Sequence, residues 1–199
     1  MTHNPTAPAL MLVGMGAAVV AAYLLYGHGL TLKNPKIKES MNRGIGTVLS
    51  AIGMLTLIIT IQYILTEPVP AQYVELFGTN LGIFSILMLM GGIILYKGAD
   101  FRPVSYIAAL GGIWQFQAAN IVNTFALTKT PLVTVALFVF AGIAGLSFLP
   151  ATHISEDRPI FRRIKILAGL VTAVMALIAL YLGINAMFGH VASAIAAAA

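Results

Sequence analysis

The side chains best able to do chemistry cluster in one apolar stretch. Gln115, Gln117, Asn120, Asn123 and Thr124 all lie within residues 104–127. At about 100° per residue, Gln117, Asn120 and Thr124 share one narrow arc of a helix, with Asn123 beside it. Tyr106 and Leu110 continue that arc, while Gln115 points the other way. A primary amide donates and accepts hydrogen bonds, and hydrocarbon offers it no water. The arc is therefore expected to form a polar intramembrane stripe facing a helix bundle. Its amides either bond to neighbouring helices or line a wet cavity.

A second polar group lies nearby in sequence. Gln62 ends one apolar run, Glu67 and Glu75 follow in residues 66–79, and Asn80 opens the next run. With the stripe, these four residues form a candidate outer vestibule for a cation or protonatable ligand. Solvation of the two loop carboxylates is the plainer alternative.

Histidine is the remaining candidate ligand. His3 and His190 lie near the chain ends, and His28 and His153 lie at the edges of apolar runs. A haem or metal held inside a bilayer needs histidines within facing helices, and none of the four sits there. No metal or cofactor is expected, His28 and His153 being the weak candidates for a metal pair. With no cysteine in the chain, disulfides, thiol catalysis and thiolate metal sites are excluded. Glycine-rich phosphate loops, a nucleophile elbow and a His-Glu-x-x-His helix are absent as well.

The elements that position these residues follow from composition. Hydrophobic residues make up 59% of the chain and charged residues 9%, against about 25% charged in a soluble domain. The runs 9–26, 45–65, 80–96, 104–127, 132–149 and 164–188 contain no charged residue except Lys165. At about 1.5 Å per residue, each is long enough to cross a hydrocarbon core of roughly 30 Å. The expectation is an all-α integral membrane protein, a single domain forming a bundle of six transmembrane helices with both termini outside. Residues 1–8 carry no Lys or Arg, as a cleaved signal would require, so the first run is expected to remain as a helix.

Charge distribution sets the orientation. Of the 11 basic residues, all but Lys129 fall in 28–44, 97–103 or 150–165, which share one side if there are six spans. An excess of Lys and Arg marks the cytoplasmic side of a cell membrane. The net charge of +5 is thereby tied to topology and anionic lipid, not to nucleic acid. Small residues four apart (Gly46 and Ser50, Ala108 and Gly112, Ala141 and Gly145, Gly169 and Ala173) are spaced for close helix contact.

The segment Glu67-Pro68-Val69-Pro70-Ala71-Gln72-Tyr73-Val74-Glu75-Leu76-Phe77-Gly78 precedes an apolar run. Its Pro68, Pro70, Tyr73, Phe77 and Gly78 resemble a domain-of-unknown-function family of small multispanning membrane proteins, chiefly archaeal. The turn at Lys129, Thr130 and Pro131 is similar too, while Ala71-Gln72 and Val74 depart from the pattern. The resemblance covers mainly residues 66–96 and implies the same architecture, with no activity attached.

Three functions fit these features. The favoured one is a non-catalytic accessory subunit that packs on protein partners or its own copies, because no charged residue lies mid-span. The others are a small channel or transporter for a neutral or weakly charged solute, and a lipid- or quinone-binding membrane protein.

Overall fold

The computed structural model of the chain describes residues 5–31, 34–155 and 158–198, without side chains for 27–31 and 197–198. Six helices account for nearly all of it. They are α1 (Thr6–Thr31), α2 (Pro35–Thr66), α3 (Ala71–Lys97), α4 (Arg102–Phe125), α5 (Pro131–His153) and α6 (Pro159–Ala198). Five are long and apolar enough to cross a membrane; α4 is not among them.

Proline and left-handed residues punctuate the elements. Pro35, Pro131 and Pro159 open α2, α5 and α6, where a missing N–H costs nothing because the first turn has no partner for it. Asn34 caps α2 by accepting from the Lys36 amide at 3.0 Å. Gly98 ends α3 at φ 65, and the amides of Gly98 and Ala99 return to the carbonyls of Leu95 and Ile94.

These caps make the connections shorter than expected. Most of 66–79 belongs to α3, leaving a turn of four residues at 67–70. Lys36, Lys38 and Arg43 sit on the first turns of α2 instead of in a loop. Pro150, the residue after the fifth apolar run, lies inside α5. It sits in the last turn, where the one hydrogen bond it forfeits matters least. Lys33 and His3 lie outside the described residues.

The helices associate first as three tight pairs, α1 with α6, α2 with α3 and α4 with α5. Lipid is as apolar as leucine, so burial alone does not drive such pairing; close dispersion contact does. Glycine permits it. A Cβ on Gly92 would lie 2.6 Å from the Gly46 carbonyl and 2.5 Å from the Ser50 amide. A Cβ on Gly145 would lie 2.5 Å from the Ala108 carbonyl, and one on Gly183 3.0 Å from the Met11 amide. Hydroxyls add polar contacts: Thr60 and Ser85 approach to 3.4 Å across α2 and α3, each also donating to a carbonyl of its own helix.

The pairs then close a ring. Each helix packs on the next, α6 returns to α1, and α1 touches α3, which sets α2 toward the periphery. Val13 and Ala17 of α1, Leu81 of α3, Leu137 of α5 and Met175 of α6 meet near the middle.

Candidate functional site

The ring encloses a cavity of about 940 Å³. It reaches Lys129, His190 and Ser193 at one end, and Asp100, Phe101 and Lys165 at the other. Asp100 and Lys129 flank α4, whose 24 residues span about 36 Å at 1.5 Å each. The residues that line the cavity are therefore spread over the length of the bundle. At about 30 Å³ per molecule, its volume is that of roughly 30 waters.

Its wall is mostly apolar. Val13, Leu81, Phe84, Leu137, Phe138 and Met175 contribute, and α2 supplies only Leu49 and Tyr63. Toward the Lys129 end the aromatic rings form a ladder, Phe77 stacking on Tyr73 at 6.4 Å and on Phe138 at 6.1 Å. Between the two ends, none of the described lining residues is Asp, Glu, Lys, Arg or His.

Charges gather only at the mouths. Asp100 accepts from the Arg102 backbone at 2.9 Å and from its guanidinium at 2.7 Å, which holds the exposed carboxyl below its ordinary range. Lys165 places its ammonium 4.5 Å above the Phe161 ring.

Several polar residues interrupt the apolar wall, and of these Asn80, Gln115, Thr134 and Thr172 are buried. The threonines are internally satisfied. Thr172 donates to the Ala168 carbonyl at 2.7 Å, and Thr134 bonds to the Thr130 carbonyl and the Thr128 hydroxyl. Asn80 is 8% exposed. Its nitrogen donates to the Leu76 carbonyl at 2.7 Å, and its oxygen has no partner. An unpaired buried acceptor costs about 1–3 kcal/mol. Among the described residues the other such side-chain atom is Trp114 Nε1, which does not line the cavity.

This arrangement reverses the expected orientation of α4. Gln117, Asn120, Asn123 and Thr124 are exposed on the outside of the single chain, and Gln115 is the amide turned into the cavity. Packing decides it. Ala108, Gly112, Ala118, Ala119 and Val122 are buried, and a Gly112 Cβ would meet the Gly142 carbonyl at 2.8 Å. The α4–α5 contact admits only the small-residue face, which leaves the amide stripe outside.

The vestibule does not assemble as expected either. Gln62, Glu67 and Glu75 are exposed and absent from the cavity wall, which Asn80 alone of the four reaches. Once α3 begins at Ala71, Glu75 and Asn80 are five residues apart on one helix, about 140° around it. Asn80 sits nine residues inside α3, not at its start. His153 is exposed and bonds the Tyr106 hydroxyl at 3.0 Å and the Leu149 carbonyl at 2.9 Å. The side chain of His28 lies outside the described residues. Gln115 could have been found in the sequence, since it follows Gly111 by four residues and Gly112 by three and so shares their packing face.

Two solved structures share this fold. The urea channel of Helicobacter pylori in its closed state, determined by cryo-electron microscopy, superposes with a TM-score of 0.52 at 17% identity, covering 89% of this chain and 97% of that one. A crystal structure of the Helicobacter pylori urea channel gives 0.53 at 19% identity, covering 84% and 92%. Among curated proteins none matches. The protein is thus an all-α, multi-pass membrane bundle. The resemblance first carried by residues 66–96 extends over nearly the whole chain: the protein belongs to DUF981, a family of proteins of unknown function, whose profile matches residues 1–193.

Proposed function

We propose that this protein is a passive channel for small uncharged polar solutes of about the size of urea, working through the cavity inside its ring of helices. The observation that carries this reading is a cavity charged at both mouths and nowhere between. An ion entering an apolar bore loses hydration that nothing on the wall replaces, at a cost of several kcal/mol or more. A neutral solute loses only a few hydrogen bonds. The fold shared with two urea channels supports the same reading, whereas an accessory subunit has no use for a cavity of this size.

The test is reconstitution of the chain alone in liposomes, with solute entry followed by light scattering. Urea is expected to enter at least ten times faster than into empty vesicles, with no added proton or potassium leak. Entry at the empty-vesicle rate would overturn the proposal.

The same reading places the protein in the cell membrane, with Lys36, Lys38, Arg43, Arg162 and Arg163 on the cytoplasmic side. Gln72, exposed on the first turn of α3, is a suitable reporter of the outer face. In intact cells an impermeant thiol reagent should label Gln72→Cys and spare Ser40→Cys. The reverse pattern would invert the topology.

We further propose that the channel is a homo-oligomer joined through α4. Tyr106, Leu110, Ile113, Gln117, Asn120 and Thr124 are all exposed and recur at alternating four- and three-residue steps. That spacing makes a seam for a second helix. Amides donate and accept, so Gln117 and Asn120 can pair with their own counterparts on another copy. Lost pairs at about 0.6–1.7 kcal/mol each should weaken association on the order of tenfold to a hundredfold in the double variant Gln117→Leu, Asn120→Leu. Light scattering in mild detergent reads this as a smaller particle; an unchanged mass would rule out the seam.

A further inference from the structure

We propose that Asn80 and Gln115 form a recognition station for a planar amide group, so that the cavity favours urea and short carboxamides over alcohols of equal size. This rests on the channel reading above and names the solute class.

The two residues stand at one level of the cavity. A Cβ on Gly111 of α4 would lie 2.9 Å from Ile83 Cγ2 of α3, so these positions face each other across the two antiparallel helices. Asn80 precedes Ile83 by three residues and Gln115 follows Gly111 by four, and each step is about one turn toward the Lys129 end. Both residues line the cavity, and both are nine-tenths buried or more.

Their free valences are complementary to an amide. The Leu76 carbonyl can only accept, so the Asn80 nitrogen must face it, at 2.7 Å. That leaves the Asn80 oxygen as a buried acceptor without a partner, which a solute reaches only as the surrounding side chains give way. No described residue hydrogen-bonds the Gln115 side chain, which therefore offers an N–H as well as an oxygen. A solute amide brings an N–H for Asn80 Oδ1 and a carbonyl for Gln115 Nε2, held in one rigid plane. A diol can donate to Asn80 too, but its hydroxyls and central bond must first be frozen into place. Leu81 and Phe84, beside Asn80 on α3, supply only apolar wall.

The experiment compares urea, acetamide and ethylene glycol in the same batch of proteoliposomes. The urea-to-glycol permeability ratio of the unaltered chain, corrected for empty vesicles, is expected to exceed ten, with acetamide close to urea. Asn80→Leu and Gln115→Leu should each lower the ratio at least fivefold. Because it is a ratio, a partly misfolded preparation lowers both permeabilities and leaves it intact, and two variants on different helices give independent readings. Ratios unchanged in both variants would overturn the station while leaving the channel standing. Unaltered protein that passes neither solute would overturn both.

Discussion

Replacing Ala144 with tryptophan is expected to reduce urea entry at least tenfold while leaving the protein folded. Ala144 lies on the cavity wall of α5, 13 residues from its start at Pro131, or about 20 Å along the helix. That is midway between the charged mouths. Its side chain is only half-buried, so an indole there can project into open space. The neighbouring Gly145 faces α4 at contact distance, and the same substitution there would force α4 and α5 away from each other. Ala144→Trp therefore separates obstruction from unfolding. Entry at the unaltered rate in a monodisperse preparation would mean that solute does not pass through the ring.

The largest stability effect should come from Gly92. A Cβ at that position lies 2.5 Å from the backbone nitrogen of Ser50 and 2.6 Å from the Gly46 carbonyl. Backbone cannot swing aside as a side chain can, so Gly92→Ala must push α2 from α3 along their whole contact. Overpacking of this kind costs about 1–3 kcal/mol, and Gly92→Leu should cost more. Gly44 is the control. It is also a helical glycine, but nothing lies within 4 Å of its added Cβ. Gly44→Ala should stabilise by up to about 1 kcal/mol through helix propensity alone. Unfolding in mixed detergent micelles, followed by Trp114 fluorescence, reads both changes. Similar midpoints for the two alanine variants would show that the α2–α3 contact does not limit stability.

The helices were legible in the sequence because hydrocarbon imposes one demand on every residue of a span, and apolar runs answer it without ambiguity. Their ends were read less well. Capping by Asn34, and the start of α3 directly after Pro70, bring polar residues such as Lys36 and Glu75 onto helices that hydropathy alone would cut short. The orientation of α4 follows a different rule. Polarity argued that Gln117 and Asn120 turn inward, whereas close packing of Gly112 on Gly142 and Gly145 turns them out. In lipid the small residues decide which face is buried, and amides left outside must find partners elsewhere. Asn80 reaches the cavity wall without the other vestibule residues, because α3 already begins at Ala71 and carries it nine residues into the helix.

The absence of charge along the cavity wall has an energetic corollary. A membrane potential does work only on charge that moves through it, about 2.3 kcal/mol per elementary charge per 100 mV. Neither an uncharged solute nor the lining residues between the mouths of this cavity offer such charge. If solute passes here as proposed, the passage is blind to voltage, and with no carboxylate or histidine midway among the described lining residues it has no site at which to bind a driving proton. A channel of that kind can only let a concentration difference decay. Sustained inward flow would require that something on the far side consume the solute as fast as it arrives.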